Sequence, residues 1–567
     1  MQLLPYHEVL EALSSNNIQS MEKAREICSI FCQSHPDSLV CLSLLGDIEY
    51  RLTHFPEAAE YFEKALKLQP NSPELYYNHA QALVMQGKYT EAAQTLQQAA
   101  QFIPGSPDIY YFLGWVHDQQ GNKQDALEAY QQTLTLAPDH LEALNGLGIL
   151  LMEKAQLTEA IEYFQRVLSI DPDYFYALIN LGSIYHCQND FTKSIALFKR
   201  ALVLQPDYPI ALNNLGVALH STGDLAEAVT IYRRSLALSP ANPEPHVNLA
   251  MSLLSTGQLE EGWREFEWRL ELIKPFSNRE KTTKPRWQGE AIPGRILLIR
   301  GEQGYGDTLQ FCRYASMAAD QGLRVVLEVQ PPLVRLLHSL LNVEVIPYGE
   351  PLPDFDYYCP MLSLPLAFQT RLNTIPHTVP YLSIPPEDIE KWHRQLPPAR
   401  RTNLKVGIVW SGKQRDASIE LSSADTRRSI HPSWLAPILS VDFVQFYSLQ
   451  KEGPPAPQEF PLVDMMNACN DFADTAALIA NLDLIITVDT AVCHLAGAMG
   501  KPVWLLVHFN SCWRWLQHRQ DSPWYPTLRL FRQPQPNDWT SVINGVEAAL
   551  RQLLKETSEQ IRLTKNK

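Results

Sequence analysis

Asp489, Thr490, Ala491 and His494 fall within six positions, where a short apolar run gives way to a stretch of small residues. The run LDLIITV (482–488) reads as a buried strand and the following AVCHLAGAMG as a helix. A helix beginning near Thr490 aims free amide N–H groups and the positive end of its dipole at a ligand, which suits a diphosphate. Thr490 adds a hydroxyl donor, and the small Ala491 lets a phosphate approach the backbone. His494, one turn on, has a ring N–H for a phosphate oxygen, and Asp489 can hold a sugar hydroxyl. A structural alternative needs no ligand: Asp489 and Thr490 cap the helix and His494 packs in the core.

A second turn with chemistry in it is GEQGYGD (301–307). Its glycines, at 301, 304 and 306, do not match the G-x-G-x-x-G spacing of a dinucleotide loop. Gly306 permits a tight turn, and Asp307 then projects from the start of the next helix into a cleft. Asp307 equally suits an N-terminal cap.

The elements that must hold these turns alternate between strand and helix. ILLIR (296–300), RVVLEV (324–329), VEVIP (343–347) and DYYCP (356–360) read as strands of one unit. KVGIVW (405–410), FVQFYSL (443–449), LDLIITV and KPVWLLV (501–507) read as strands of another. The pattern predicts two doubly wound, Rossmann-like sheets, one over 294–380 and one over 399–540. A Pro-rich segment over 375–398 crosses between them, and a last helix within 541–567 is expected to return and pack on the first.

Upstream the period is different. Prolines recur every 34 residues at Pro70, Pro104, Pro138, Pro172, Pro206 and Pro240. Gly46, Ala80, Gly114, Gly148, Gly182 and Gly216 each precede one of them by 24 positions. Ala58, Ala92, Ala126, Ala160, Ser194, Ala228 and Gly262 follow in phase, each with an aromatic residue or leucine four positions later, such as Phe62 or Tyr232. The pattern is that of the tetratricopeptide repeat. The small residue lets the second helix of a pair approach, the large one fills the space between, and proline ends the pair. Seven repeats are expected over 39–276, after a degenerate helical cap at 1–38 whose aromatic position holds Cys28. A linker over 277–293 contains the lone Trp287.

The α/β half resembles the GT-B glycosyltransferases, in which two Rossmann-like units are joined by a short crossing segment. DTAVCHLAGAMGKPV (489–503) resembles the signature of family 9, the heptosyltransferase-like enzymes, and GYGDTLQ (304–310) resembles the turn after their first strand. Joined to the repeats, the chain is similar to bacterial TPR–glycosyltransferase fusions and, more distantly, to the O-GlcNAc transferase family. The resemblance makes Asp307 the general base that removes the acceptor's proton, giving direct displacement with inversion; Glu302 is the alternative base. It implies no metal, so a side-chain cation must neutralise the departing diphosphate. DFD (354–356) lacks a companion ligand. Lys413 in WSGK, which begins with Trp410 and Ser411, and Arg427 and Arg428 in DTRRSIHPSW are the candidates, with Arg428 in the family's position. Gln450 and Lys451 are weaker candidates for ribose or base contacts, with Ser411 and Lys413 beside them on the donor side. CWRW (512–515) stands where the fusion group has DWRW, which leaves a role for an acid there open.

The repeats bear on the acceptor. Two positions before the small residue the side chain faces the groove, and Asn78, Asn180, Asn214 and Asn248 occupy that position in four repeats. Asparagine amides pair with a peptide backbone whatever its side chains, in the manner of the asparagine ladder of the O-GlcNAc transferase family. Asparagine at these positions also serves repeat packing.

Composition narrows the partners. A net charge of −15, spread along the chain, argues against non-specific nucleic-acid binding. Nine cysteines without a C-x-x-C pair read as reduced thiols in a cytoplasm. The first residues lack a basic start followed by an apolar run, and Asn481, Asp483 and Asp489 interrupt the most apolar stretch, so no membrane span is expected. The expected activity is metal-independent, inverting transfer from a nucleotide-diphosphate sugar to a polypeptide in the repeat groove, with no cofactor and with self-association left open. The alternatives are a glycan or lipid-linked saccharide acceptor with the repeats used for assembly, and a scaffold with an inactive transferase half.

Overall fold

The computed structural model describes residues 6–565 apart from 16, 273–282, 398–403, 413–424, 456–458 and 461. The chain divides into two compact units, Met1–Ile184 and Tyr185–Lys567. The boundary falls inside the helix Phe175–Cys187.

The first unit consists of helices. Tyr6–Ser15 and Ile18–Ser34 precede pairs that follow the 34-residue period, beginning Leu39–Arg51 with Phe55–Leu68 and Pro73–Met85 with Tyr89–Phe102. The small residue of each pair is there because nothing larger fits. A Cβ on Gly46 would lie 2.6 Å from the Phe62 ring, and one on Gly148 would lie 2.7 Å from the Phe164 ring. Both rings are fully buried. Serines start several of these helices: Ser38 and Ser72 accept from the N–H groups of Cys41 and Leu75. Cys28 is buried among Val9, Ala24 and Leu45 and is a packing residue.

The second unit opens with the remaining helical pairs, among them Pro209–Thr222 with Leu225–Leu238 and Pro243–Ser255 with Leu259–Phe266. Gly216 repeats the earlier logic, its missing Cβ standing 2.4 Å from the Tyr232 ring. Two wholly parallel sheets follow. The first holds β1 (Ile296–Arg300), β2 (Arg324–Val329), β3 (Val343–Pro347) and β4 (Tyr357–Pro360) in the order β3-β2-β1-β4. The second holds β5 (Leu404–Val409), β6 (Val444–Ser448), β7 (Val463–Asp464), β8 (Leu484–Val488), β9 (Val503–Val507) and β10 (Leu528–Arg532) in the order β10-β9-β8-β5-β6-β7. The eight expected strands are present. β7 and β10 are additional: β7 is two residues long, and β10, LRLFR, follows the last expected strand.

One expectation about connections changes. The last helix, Trp539–Lys565, does not return to the first sheet. Its apolar side, Trp539, Val542, Ile543, Val546 and Leu550, packs with Leu404, Val406, Ile486 and Leu506 of the second, because those strands leave an apolar face of matching length uncovered. The described part of the linker is not a free tether. Arg286 bridges to Tyr358 as an added strand position, the Trp287 N–H donates to the Tyr358 carbonyl at 2.9 Å, and the indole is 1 % exposed. The crossing segment is likewise docked: the Tyr381 N–H donates to the Ala498 carbonyl at 3.0 Å and its hydroxyl to the Leu309 carbonyl at 2.9 Å. One continuous core, from Leu297 and Leu327 to Leu495 and Leu505, underlies both sheets. Among the described residues no helix is long and apolar enough to cross a membrane.

Candidate active site

β1 and β8 each end in a turn that starts a helix, Tyr305–Phe311 after the first and Ala491–Ala498 after the second. Both helix starts lie at the carboxyl ends of their strands, where open parallel sheets bind ligands. Gly306 is the point of contact. A Cβ there would stand 2.9 Å from His494 Cδ2 and 3.6 Å from Ala491 Cα, so only glycine lets the two helix starts meet.

This contact brings Asp307, Asp489, Thr490, Ala491 and His494 together. Thr490 is the N-cap residue in extended backbone, but its side chain does not cap the helix. Its hydroxyl lies 3.2 Å from that of Thr487. Asp489 Oδ2 accepts from Trp515 Nε1 at 2.9 Å, so Asp489 does not cap the helix with that oxygen either. Burial raises the Asp489 carboxyl above its ordinary range, against the Trp515 hydrogen bond and the Arg514 and Arg428 charges, which favour ionisation. His494 is 4 % exposed, its Nδ1 3.0 Å from the Tyr525 hydroxyl and its ring stacked on Trp515. Burial first, and then Arg514 and Arg313, hold its pKa well below the usual value, so the ring is neutral. A neutral imidazole still has one N–H to donate.

Asp307 uses both oxygens. Oδ2 accepts from the Gly304 N–H at 3.0 Å, closing the start of its own helix, and Oδ1 is ion-paired with Arg514. Glu302, the alternative base, is corrected by its surroundings. Arg269 grips it through Nη2 at 2.9 Å and Nε at 3.0 Å, and the Leu362 N–H donates to it at 2.8 Å. Arg269 is 3 % exposed and belongs to the helix Arg269–Leu272 that follows the repeats, so Glu302 ties that helix to the first sheet.

The cation candidates separate. Arg428 donates through Nη1 to the Asp489 carbonyl at 3.4 Å and through Nη2 to Asp425 at 2.9 Å, which puts its charge beside the Ala491 helix start. Arg427 turns the other way and donates to Asn189 Oδ1 at 2.9 Å. It lines a cavity of about 250 Å³ with His220, Ser255, His508, Trp513 and Arg514. Lys413 lies outside the described residues.

Gln450 and Lys451 are engaged by backbone groups of the protein. Gln450 Oε1 accepts from the Trp410 and Ser411 N–H groups at 3.1 and 3.0 Å, and its Nε2 donates to the Ser411 carbonyl, so it fixes the loop after β5. Lys451 Nζ donates to the Met466 and Cys469 carbonyls at 2.8 and 2.7 Å. Ser411 is 7 % exposed and its hydroxyl donates to the Gly412 carbonyl. Of the DFD pair, Asp356 accepts from the Ile296 N–H at 2.8 Å and from Arg295, which holds the entry to β1.

The asparagines are tied to neighbouring positions. Asn78 Nδ2 donates to Asp47 and Asn180 Nδ2 to Asn145, each at 3.3 Å; in the second unit Asn248 Nδ2 donates to Asn213 at 3.0 Å. Asn214 is half-buried. The ladder therefore spends amide donors between repeats, a use of Asp47, Asn145 and Asn213 that the groove position alone does not reveal.

The sequence marks the turn Cys512–Leu516 only for the cysteine that stands in place of an acid; the parts that Arg514 and Trp515 play beside Asp307 and Asp489 were not foreseen.

Residues 43–107, 111–175 and 180–243 match the tetratricopeptide repeat model, and residues 467–506 match glycosyltransferase family 9 (heptosyltransferase). The second match contains Asp489 to His494 and begins well after Asp307. Protein FlbA of Caulobacter vibrioides is 28% identical over 320 residues, 51% of this chain and 52% of that protein. The chain thus spans about half the length of the curated relative it matches. Among solved structures, the APC/C hetero-tetramer Cut9-Hcn1 is similar at 22% identity and a TM-score of 0.37, over 43% of this chain and 48% of that one. A tetratricopeptide repeat protein from Parabacteroides merdae is similar at 18% identity and a TM-score of 0.36, over 42% of this chain and 94% of that one. The chain carries tetratricopeptide repeats, and the family 9 match over 467–506 points to a glycosyltransferase segment downstream of them.

Proposed function

We propose that this chain is an inverting glycosyltransferase of GT-B architecture that moves a sugar from a nucleotide-diphosphate donor to a polypeptide. In this reading the two parallel sheets are the two Rossmann-like halves. The observation that carries it is the meeting of the two helix starts at Gly306, the residue before Asp307, which brings a carboxylate near a helix start suited to a diphosphate. The acceptor hydroxyl attacks the anomeric carbon as its proton passes to Asp307. The bond from that carbon to the diphosphate oxygen breaks, and the electron pair leaves with the nucleotide diphosphate. Helix N–H groups and Arg428 offset the charge that develops there. Neutral His494 suits donation to a phosphate oxygen, which asks for no proton transfer.

A polypeptide acceptor is supported by Asn214 and Asn248 on the repeat helices of the second unit. The bond from Asn248 to Asn213 favours the second reading, in which the repeats assemble the protein and the acceptor is a saccharide.

The test is nucleotide binding followed by turnover. Calorimetry with UDP, GDP, ADP and dTDP should find one that binds, and Thr490→Ala with His494→Ala should weaken it more than tenfold, since two charge-assisted hydrogen bonds are worth roughly 1.5–3 kcal/mol each. Asp307→Asn should keep that affinity and lose transfer. Unchanged affinity in the double variant removes the diphosphate site, and retained transfer in Asp307→Asn removes the base.

A further inference from the structure

The turn Cys512–Leu516 touches both carboxylates of the site. Arg514 is 8 % exposed, and each of its three side-chain nitrogens has a partner in the protein. It is ion-paired with Asp307 Oδ1, donates through Nε to Gln310 Oε1 and through Nη1 to Cys512 Sγ, and lies 4.3 Å from the centre of the Trp513 ring. The next residue, Trp515, donates to Asp489 and stacks on His494. Leu516 closes the turn at φ 47°, a left-handed backbone that a leucine adopts only when its surroundings enforce it. Arg532 on β10 does so, donating to the Leu516 carbonyl at 2.6 Å and the Trp515 carbonyl at 3.2 Å. A strained turn anchored on the second sheet therefore reaches across to a carboxylate that belongs to the first.

We infer that Arg514 is a positioning residue of this site: it holds the Asp307 carboxylate in one orientation facing the donor site, and it ties the first sheet's base to the second sheet's diphosphate-binding helix. The inference rests on the reading of Asp307 as the base. Among the described residues Asp307 is otherwise held by the Gly304 N–H alone, through its other oxygen. That bond fixes one oxygen and leaves the plane of the carboxylate to be set by Arg514. Gln310 in turn sets the guanidinium plane from the same helix as Asp307, so the base and the residue that orients its holder share one rigid element. Arg514 keeps all its protons through the reaction. It acts through Asp307, whereas Arg428, beside the Asp489 carbonyl, is placed to act on the leaving group.

The experiment uses the full chain and the nucleotide release from a panel of UDP-, GDP-, ADP- and dTDP-sugars, with water as acceptor. Arg514→Ala should lower turnover by about 10²-fold, the cost of a misplacement near 1 Å, while nucleotide-diphosphate affinity stays within threefold. Added guanidinium ion should restore part of the rate and sodium ion none. Asp307→Asn with Arg514→Ala should be no slower than Asp307→Asn alone, because the two residues act as one unit. Retained turnover in Arg514→Ala, or a rate loss that multiplies with that of Asp307→Asn, overturns the inference. Lost nucleotide affinity also overturns it and makes Arg514 a donor contact instead. If the native chain releases nucleotide from no donor, the transferase reading fails, and melting temperatures decide the pairing. The losses of Asp307→Asn and Arg514→Ala combined should then fall short of their sum by about 3 °C or more, and a simple sum refutes the coupling.

Discussion

Gly306→Ala tests the contact on which the whole site depends. Two effects of opposite sign compete. Replacing a helical glycine gains about 0.5–1 kcal/mol by removing backbone freedom from the unfolded chain, and less this close to a helix start. Against that, the new methyl would sit 2.9 Å from His494 Cδ2, where carbon atoms rest at about 3.5–4.0 Å. One of the two helix starts must therefore move by roughly 0.6–1 Å. His494 does not yield easily, since Tyr525 holds its Nδ1 at 3.0 Å and Trp515 stacks on its face at a centroid distance of 5.4 Å. Overpacking of this kind costs about 1–3 kcal/mol, so the clash wins and the second unit loses about 1–2 kcal/mol. Gly545→Ala supplies the control. It lies within the helix Trp539–Lys565, and its Cβ would meet Phe531 at 3.7 Å, an ordinary contact. That substitution should stabilise by about 0.5–1 kcal/mol. Urea unfolding of both variants gives the sign directly, and nucleotide release should fall in the first alone. A Gly306→Ala protein as stable as the native one, or two variants that shift together, would show that the helix starts do not meet at this point.

Acidification should destabilise the second unit before most carboxylates titrate. Burial, and then Arg427, lowers the pKa of His508 to about 3 and of His220 to about 4. The folded state thus binds fewer protons than the unfolded one below pH 6.5, and the stabilisation present above that pH is lost as pH falls. At pH 5 each ring costs about 2 kcal/mol by linkage; His494 adds to this with the same sign, and Asp489, whose carboxyl is raised, opposes it. Urea midpoints between pH 7 and 5 should fall steeply in the native chain and less in His508→Gln; equal slopes refute the assignment. Trp515→Phe keeps the stack on His494 but removes the donor to Asp489 Oδ2, which should cost about 1.5–3 kcal/mol in thermal unfolding and raise the Asp489 carboxyl further in a carbon-13 NMR titration. Asn180, Asn214 and Asn248 replaced together by Ala should raise the Michaelis constant for a polypeptide acceptor and leave donor hydrolysis unchanged. Loss of thermal stability by the bonds of Asn180 and Asn248, about 0.5–1.5 kcal/mol each, with no change in that constant would assign these residues to repeat packing.

The sequence by itself determined the features that depend on neighbours along the chain. The 34-residue period and its pairing of Gly46 with Phe62 and Gly216 with Tyr232 were legible, because each pair lies sixteen residues apart in one helical hairpin. The buried strands were legible as apolar runs, and the helix start at Thr490 as a change from β-branched to small residues. Tertiary structure decided how the polar groups were used. Glu302 and Asp307 stand five positions apart and look equivalent as bases, yet one is gripped by Arg269 and the other pairs with Arg514 next to the contact that Gly306 makes with the Ala491 helix start. Gln450 and Lys451 have the right chemistry for a ligand and are consumed by backbone carbonyls and N–H groups instead. The last helix carries an apolar stripe that fits any uncovered sheet, and only the order of strands shows which sheet has room. Arg514 and Asp307 are 207 residues apart. Local propensity and apolar period are properties of a segment, but a charged group's role is set by whichever partner the fold delivers. That partner is fixed by packing across the whole unit.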